Sequence, residues 1–183
     1  MNVKVKELGS FECKTGTFVV SDPCYGEAVW CRGELTNVRK GKWQAFAIIE
    51  DKGDWAGRVV QLHAAHEETR PVFAEGSIEG KKADFVVGVD SGQAGIFDKD
   101  HYKGGHSGDK ECDDWYKLCC DKTLSEAQAG VIPFGVVSSS GYGDGSYACH
   151  YRIGENSGEI ERVWISFIDE DEYEEDEYEE DED

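Results

Sequence analysis

The stretch Gly145–Ile168, GSYACHYRIGENSGEIERVWISFI, decides the fold class. Tyr147, Cys149, Tyr151 and Ile153 recur at every second position, and Val163, Ile165 and Phe167 do the same on the return. Side chains two residues apart share one face of a strand, so this period predicts two half-buried strands. Asn156-Ser157-Gly158 between them has turn chemistry, and the whole reads as an antiparallel hairpin.

Short alternating runs separated by glycine continue upstream. TGTFVVSD (15–22) reads as one strand. GELTNVRKGKWQAFAIIED (33–51) reads as a hairpin turning at Lys40-Gly41, with Trp43, Ala45, Ala47 and Ile49 on one face. ADFVVGVD (83–90) is apolar enough to predict a central strand buried on both sides. GRVVQLHAAHEE (57–68) is ambiguous: helical spacing puts His63 and His66 together, whereas the strand preferred here sends them to opposite faces. A helix is expected between Asp113 and Ala129: Asp113 or Asp114 caps WYKLCCD, and Thr123 with Glu126 forms a capping box before Gly130 and Pro133. KDHYKGGHSGDKEC (99–112) is polar and glycine-rich and reads as a surface loop. The expected fold is therefore mainly β with minor α. It is a single antiparallel β-sandwich or strongly bent sheet over residues 1–168, with one or two short helices.

The charge divides the chain differently. Of its net −20, most lies in DEDEYEEDEYEEDED (169–183), where 13 of 15 residues are acidic. The remainder holds 26 acidic against 19 basic residues, an ordinary domain of −7. A like-charge run with little to bury is expected to be disordered. It serves either solubility or a basic protein partner, imitating nucleic acid. Direct nucleic-acid binding is not expected, since the only basic cluster is Arg39, Lys40 and Lys42 and the net field repels phosphate. Neither a signal peptide nor an apolar run long enough to span a membrane is visible, so a cytoplasmic location without membrane contact is expected. The seven cysteines are then expected to be thiols. No dinucleotide fingerprint or phosphate-binding Walker loop is present.

Two segments set aspartates into glycine turns: VDSGQAGIFD (89–98) and SSSGYGDGSY (138–147). With Asp22 of SDPCYG, the candidate set is Asp22, Asp90, Asp98 and Asp144. Carboxylates at strand ends lie beside backbone carbonyls, the hard-oxygen environment that Ca²⁺ or Mg²⁺ takes. The same residues are also the commonest turn formers, because Asp bonds its own backbone and Gly accepts positive φ. Both readings stand. A nucleophile reading would use Cys24, or Ser138, Ser139 or Ser140, with one of His63, His66, His101, His106 or His150, although none lies in a nucleophile elbow.

GTFVVSDPC (16–24), VDSGQAGIFD and SSGYGDGSYACHYRIGENSGEIERVWISFI (139–168) follow one another in this order. Together they resemble the DUF4241 family of bacterial and phage proteins, whose function is not established. The likeness spans roughly residues 15–168 and is most specific in the third segment. It implies that Asp22, Asp90 and Asp144, with Gly141, Gly143 and Gly145, occupy shared motif positions, and it carries no catalytic residue. The expected site therefore consists of the four aspartates as cation ligands, with Ser91, Gly92, Ser140, Gly141, Gly143 and Gly145 as binding residues. The expected function is a non-enzymatic binding or regulatory module. An acidic mimic acting through the tail and a small Cys or Ser hydrolase are the alternatives.

Overall fold

In the computed structural model, residues 3–26, 29–51, 57–69, 79–105 and 113–168 are described. They form strands β1 (Val3–Cys13), β2 (Phe18–Ser21), β3 (Gly33–Leu35), β4 (Gly41–Glu50), β5 (Arg58–His66), β6 (Lys81–Val89) and β7 (Gln93–Asp98). A 3-10 segment (Lys99–Gly105) and helix α1 (Asp113–Thr123) follow, then β8 (Ala129–Ile132), β9 (Gly135–Ser139), β10 (Gly145–Ile153) and β11 (Ile160–Ser166). Two antiparallel sheets result, one ordered β1-β4-β5-β11-β10-β6 and the other β3-β2-β7-β9-β8. The acidic segment 169–183 lies outside the described residues. No described helix is long and apolar enough to cross a membrane.

The alternation in the sequence explains the layering. Trp43, Ala45 and Ala47 of β4, Leu62 and Ala64 of β5, Val163 and Ile165 of β11 and Cys149 of β10 all face the second sheet. There they meet Phe18, Val20, Ala94, Ile96 and Val136. The second sheet also carries apolar side chains on its other face. Val19, Phe97 and Val137 pack under Tyr102, Trp115 and Cys119. This double burial is why Phe18, Val19 and Val20 of β2 form an unbroken apolar run. His63 and His66 do take opposite faces of β5, opposite Phe46 and Trp43 respectively.

Three expectations are corrected. Residues 33–51 are no hairpin: β3 pairs with β2 and β4 with β1, in different sheets. The chain turns at Asn37, whose φ is +58°, and crosses between the layers so that Leu35, Val38 and Trp43 all reach the core. β6 is an edge strand and not a central one. Its inward residues Ala83, Val87 and Val89 are buried, whereas Val86 is 38% exposed. Its outer edge is covered by the β2–β3 connection, where Gly88 N–H donates to Cys31 O and Phe85 occupies the space a side chain at Gly33 would need. Finally, the helix stops at Thr123. Residues 124–128 form turns, because the Gln128 carbonyl accepts the Ser139 N–H and draws the chain into β8. Too few residues remain before that pairing to propagate a second helix.

Trp43 is fully buried between the sheets, edge-on to Phe18, and its indole N–H donates to Arg39 O at 2.9 Å. Trp43→Ala is expected to destabilise the domain by about 3–5 kcal/mol, seen in urea titrations as a lower midpoint at unchanged slope.

Candidate functional site

β2 ends at a fully buried aspartate, Asp22. Its carboxylate accepts four hydrogen bonds. One oxygen takes the Cys24 N–H (2.8 Å) and the Ser91 hydroxyl (2.6 Å); the other takes the N–H groups of Asp90 (2.8 Å) and Ser91 (2.7 Å). Proline at 23 supplies no N–H, so the first free donor after Asp22 is Cys24, and the side chain curls the S-D-P-C turn onto it. The Tyr102 hydroxyl lies between the carbonyl oxygens of Tyr25 (2.8 Å) and Asp22 (3.0 Å) and fastens the same turn from outside.

The third turn docks on the second. Ser140 N–H donates to Gly92 O at 3.0 Å, and Gly92 N–H donates to an Asp144 carboxylate oxygen at 3.2 Å. Within the 140–145 turn, the Ser140 and Tyr147 hydroxyls both donate to Gly143 O at 2.7 Å. Gly141 has φ +63°, and a side chain there would strike Val59 O, so this bend requires glycine on two counts. Gly145 then opens β10 opposite Val89. Ser91 and Gly92 thus lie between Asp22 on one side and Ser140 and Asp144 on the other, with Gly145 paired to Val89 just before them. Asp90 and Asp144 are exposed.

Asp98 does not join them, which corrects the expectation of a four-aspartate cluster. It pairs with Phe18, four residues before Asp22 along β2, about 13 Å away at the rise of a strand. There it is fully buried and accepts the N–H groups of Lys14 and Thr15 (2.9 Å each) and the Thr15 hydroxyl (2.8 Å), while its second oxygen meets His101 Nδ1 at 2.6 Å. Burial by itself would raise this carboxyl. The Thr15 amide, His101, the Thr15 hydroxyl and the Lys14 amide outweigh that and hold it below the usual carboxylate range. Among the described residues, no three His, Cys, Asp or Glu side chains form a group that could hold a metal ion.

The nucleophile candidates are committed elsewhere. Burial, followed by the Asp22 carboxylate and the charge of Asp90, pushes the Cys24 thiol up to about 12, so almost no thiolate exists at neutral pH. Ser138 is buried in the core, the Ser139 hydroxyl donates to Gln128, and Ser140 holds Gly143. The histidines stand apart from them. His63 and His150 stack on Trp164, His66 contacts Lys40 O, and His101 is tied to Asp98, while His106 lies outside the described residues. The six described cysteines, Cys13, Cys24, Cys31, Cys119, Cys120 and Cys149, are unpaired thiols. Sequence reasoning missed Tyr102, Thr15 and His101 as partners of the two buried aspartates. For Tyr102 and Thr15 nothing local signals a role that depends on residues some 80 positions away, whereas His101 lies only three residues from Asp98.

Asp22→Asn replaces one accepting oxygen by an amide that faces N–H donors, and is expected to cost about 3 kcal/mol of stability, measured by chemical denaturation. Asp98 generates a pH dependence. Its folded-state pKa lies below its ordinary value, so its contribution is present above the ordinary carboxylate range and is lost as pH falls through the folded value. Between pH 5 and 3, roughly the window set by ordinary carboxylates, wild type should lose stability more steeply than Asp98→Asn.

No curated protein and no solved structure matches the chain. A family model described as "Protein of unknown function (DUF4241)" matches residues 11–165, a span that includes all three of these turns. The chain therefore belongs to the DUF4241 family.

Proposed function

We propose that this protein is a non-enzymatic binding or regulatory module whose recognition surface is the end of the sandwich where the three motif turns meet. The observation that carries this reading is the division of labour among the aspartates. Asp22 is consumed in holding the turns together, while Asp90 and Asp144 stand exposed beside the Gly92 and Gly143 backbone. A rigid rim with two carboxylates and nearby carbonyl oxygens favours a cationic ligand, either a divalent ion such as Ca²⁺ or Mg²⁺ or the basic side chain of a partner. The raised Cys24 thiol, the engaged hydroxyls of Ser139 and Ser140 and the full burial of Ser138 support binding over nucleophilic catalysis. The unpaired thiols agree with the cytoplasmic setting expected of a bacterial or phage protein. The acidic mimic reading rests on residues 169–183, outside the described structure.

Calorimetric titration of Ca²⁺ and Mg²⁺ into chelator-stripped protein tests the ionic form. Binding should raise the melting temperature, by the equivalent of about 2.7 kcal/mol at a hundredfold excess over Kd, and the gain should vanish in Asp90→Asn/Asp144→Asn. Absence of both heat and melting shift removes the metal and leaves the basic side chain as the ligand to be tested.

A further inference from the structure

β1 and β8 are the terminal strands of their two sheets, and they adjoin on one side of the sandwich. They approach each other at Gly9, where the register of β1 shifts and a side chain would lie 3.2 Å from Val131. Beyond that point the edges border a cleft of about 490 Å³, walled by residues 10–12 and Lys14 on one side and residues 131–134 on the other. Successive residues of a strand point to opposite faces, so a cleft over a sheet face is lined by every second residue. Consecutive residues line this one. It therefore runs along the strand edges, where a terminal strand presents the N–H and C=O groups that its single neighbour does not use. Among the described residues no further strand pairs with either edge. β8 is only four residues long and runs into Pro133, which has no N–H, so β1 is the edge able to take a partner.

The walls of the cleft are in place without an occupant. Phe134 has φ +63°, a region that favours glycine, and its ring is stacked on His101 at 3.7 Å with the Lys14 ammonium 4.7 Å from its centre. The Phe134 carbonyl accepts the Asp98 N–H, and the Lys14 N–H donates to the Asp98 carboxylate, so one buried residue anchors both sides. Glu12 and Lys14 are exposed and alternate with the buried Phe11 and Cys13. Lys42 stands opposite Glu12 on β4, yet neither Glu12 nor Lys14 forms a salt bridge among the described residues. Directly opposite residues of an antiparallel pair share a face and interact. A strand laid along β1 thus sets one residue opposite Lys14, a second two positions later opposite Glu12, and the next opposite Phe11. We propose that the free edge of β1 accepts an extended segment of a partner protein, reading acid–apolar–base–apolar, whose last apolar side chain enters the cleft against Phe11, Val131 and Phe134. Main-chain pairing supplies the affinity and the two charges set the register. This surface lies at the Asp98 end and is independent of the site proposed above.

The peptides Thr-Thr-Glu-Leu-Lys-Leu-Thr-Thr and Thr-Thr-Lys-Leu-Glu-Leu-Thr-Thr have one composition and opposite charge order. Titrated into the full chain, the first is expected to bind about tenfold more tightly, and Glu12→Lys/Lys14→Glu should reverse the preference. Both side chains are exposed, so an unchanged melting temperature verifies that this variant is folded. Equal affinities, or a preference that survives the reversal, overturn the proposal. Methylating the peptide nitrogens of its two leucines, or instead those of glutamate and lysine, tests the pairing itself. Only alternate N–H groups of a strand face a given neighbour, so one pattern should abolish binding and the other spare it; equal effects overturn strand addition. Asp90→Asn/Asp144→Asn should bind the first peptide as wild type does, and a loss there overturns the placement on β1. Glu12-Cys13-Lys14 is itself acid–apolar–base. A dimer of the full chain that Glu12→Lys alone disperses would therefore overturn the choice of a foreign partner in favour of a second copy.

Discussion

Four hydrogen bonds on one buried carboxylate organise the motif end of this molecule. Asp22 has no water to solvate it, so its negative charge is tolerable only because Cys24, Asp90 and Ser91 aim N–H or O–H groups at it from two separate turns. The dependence is mutual. A turn between β6 and β7 leaves backbone donors unsatisfied at the end of the sheet, and the carboxylate answers them. The third turn is then placed by simple pairing of Gly92 with Ser140 and Asp144. Removing the carboxylate leaves three N–H groups and one hydroxyl without this acceptor.

The opposite end uses the same device. Asp98, at the other end of the β2–β7 pair, gathers the β1–β2 turn and His101 on a second buried carboxylate, with the His101 ring stacked on Phe134 at 3.7 Å. Between these two points the body of the protein is held by ordinary apolar burial, sheet against sheet on one side and sheet against α1 on the other. Asp22 and Asp98 shape turns from inside, while at the surface Asp144 holds the Gly92 N–H and Asp90 is exposed.

Much of the β architecture could be read from residue order. The hairpin of β10 and β11 declared itself by alternation, whereas β5 fits a strand or a helix by residue order and is buried on both faces. β6 misled, since Ala83, Val87 and Val89 face inward while Val86 merely occupies an edge, and an apolar run carries no mark of which side it will bury. The segment after Thr123 had the capping chemistry of a helix, yet pairing with β9 claimed it, a long-range hydrogen-bond ladder overriding a local preference. β3 and β4 look like neighbours in a hairpin, and only the need to put Leu35, Val38 and Trp43 into one core sends them to different sheets.

The chain alone determined its mainly β character, its acidic terminus and the positions of its aspartate–glycine turns, because strand periodicity, charge and turn chemistry are properties of a few adjacent residues. Tertiary structure decided which of those turns meet. Three of the four donors that satisfy Asp22 come from 68 and 69 positions away, and the choice between Asp98 and Asp144 as its companion follows from strand order and direction. No local pattern encodes that choice. It is made when two sheets close over a common core and bring strand ends together.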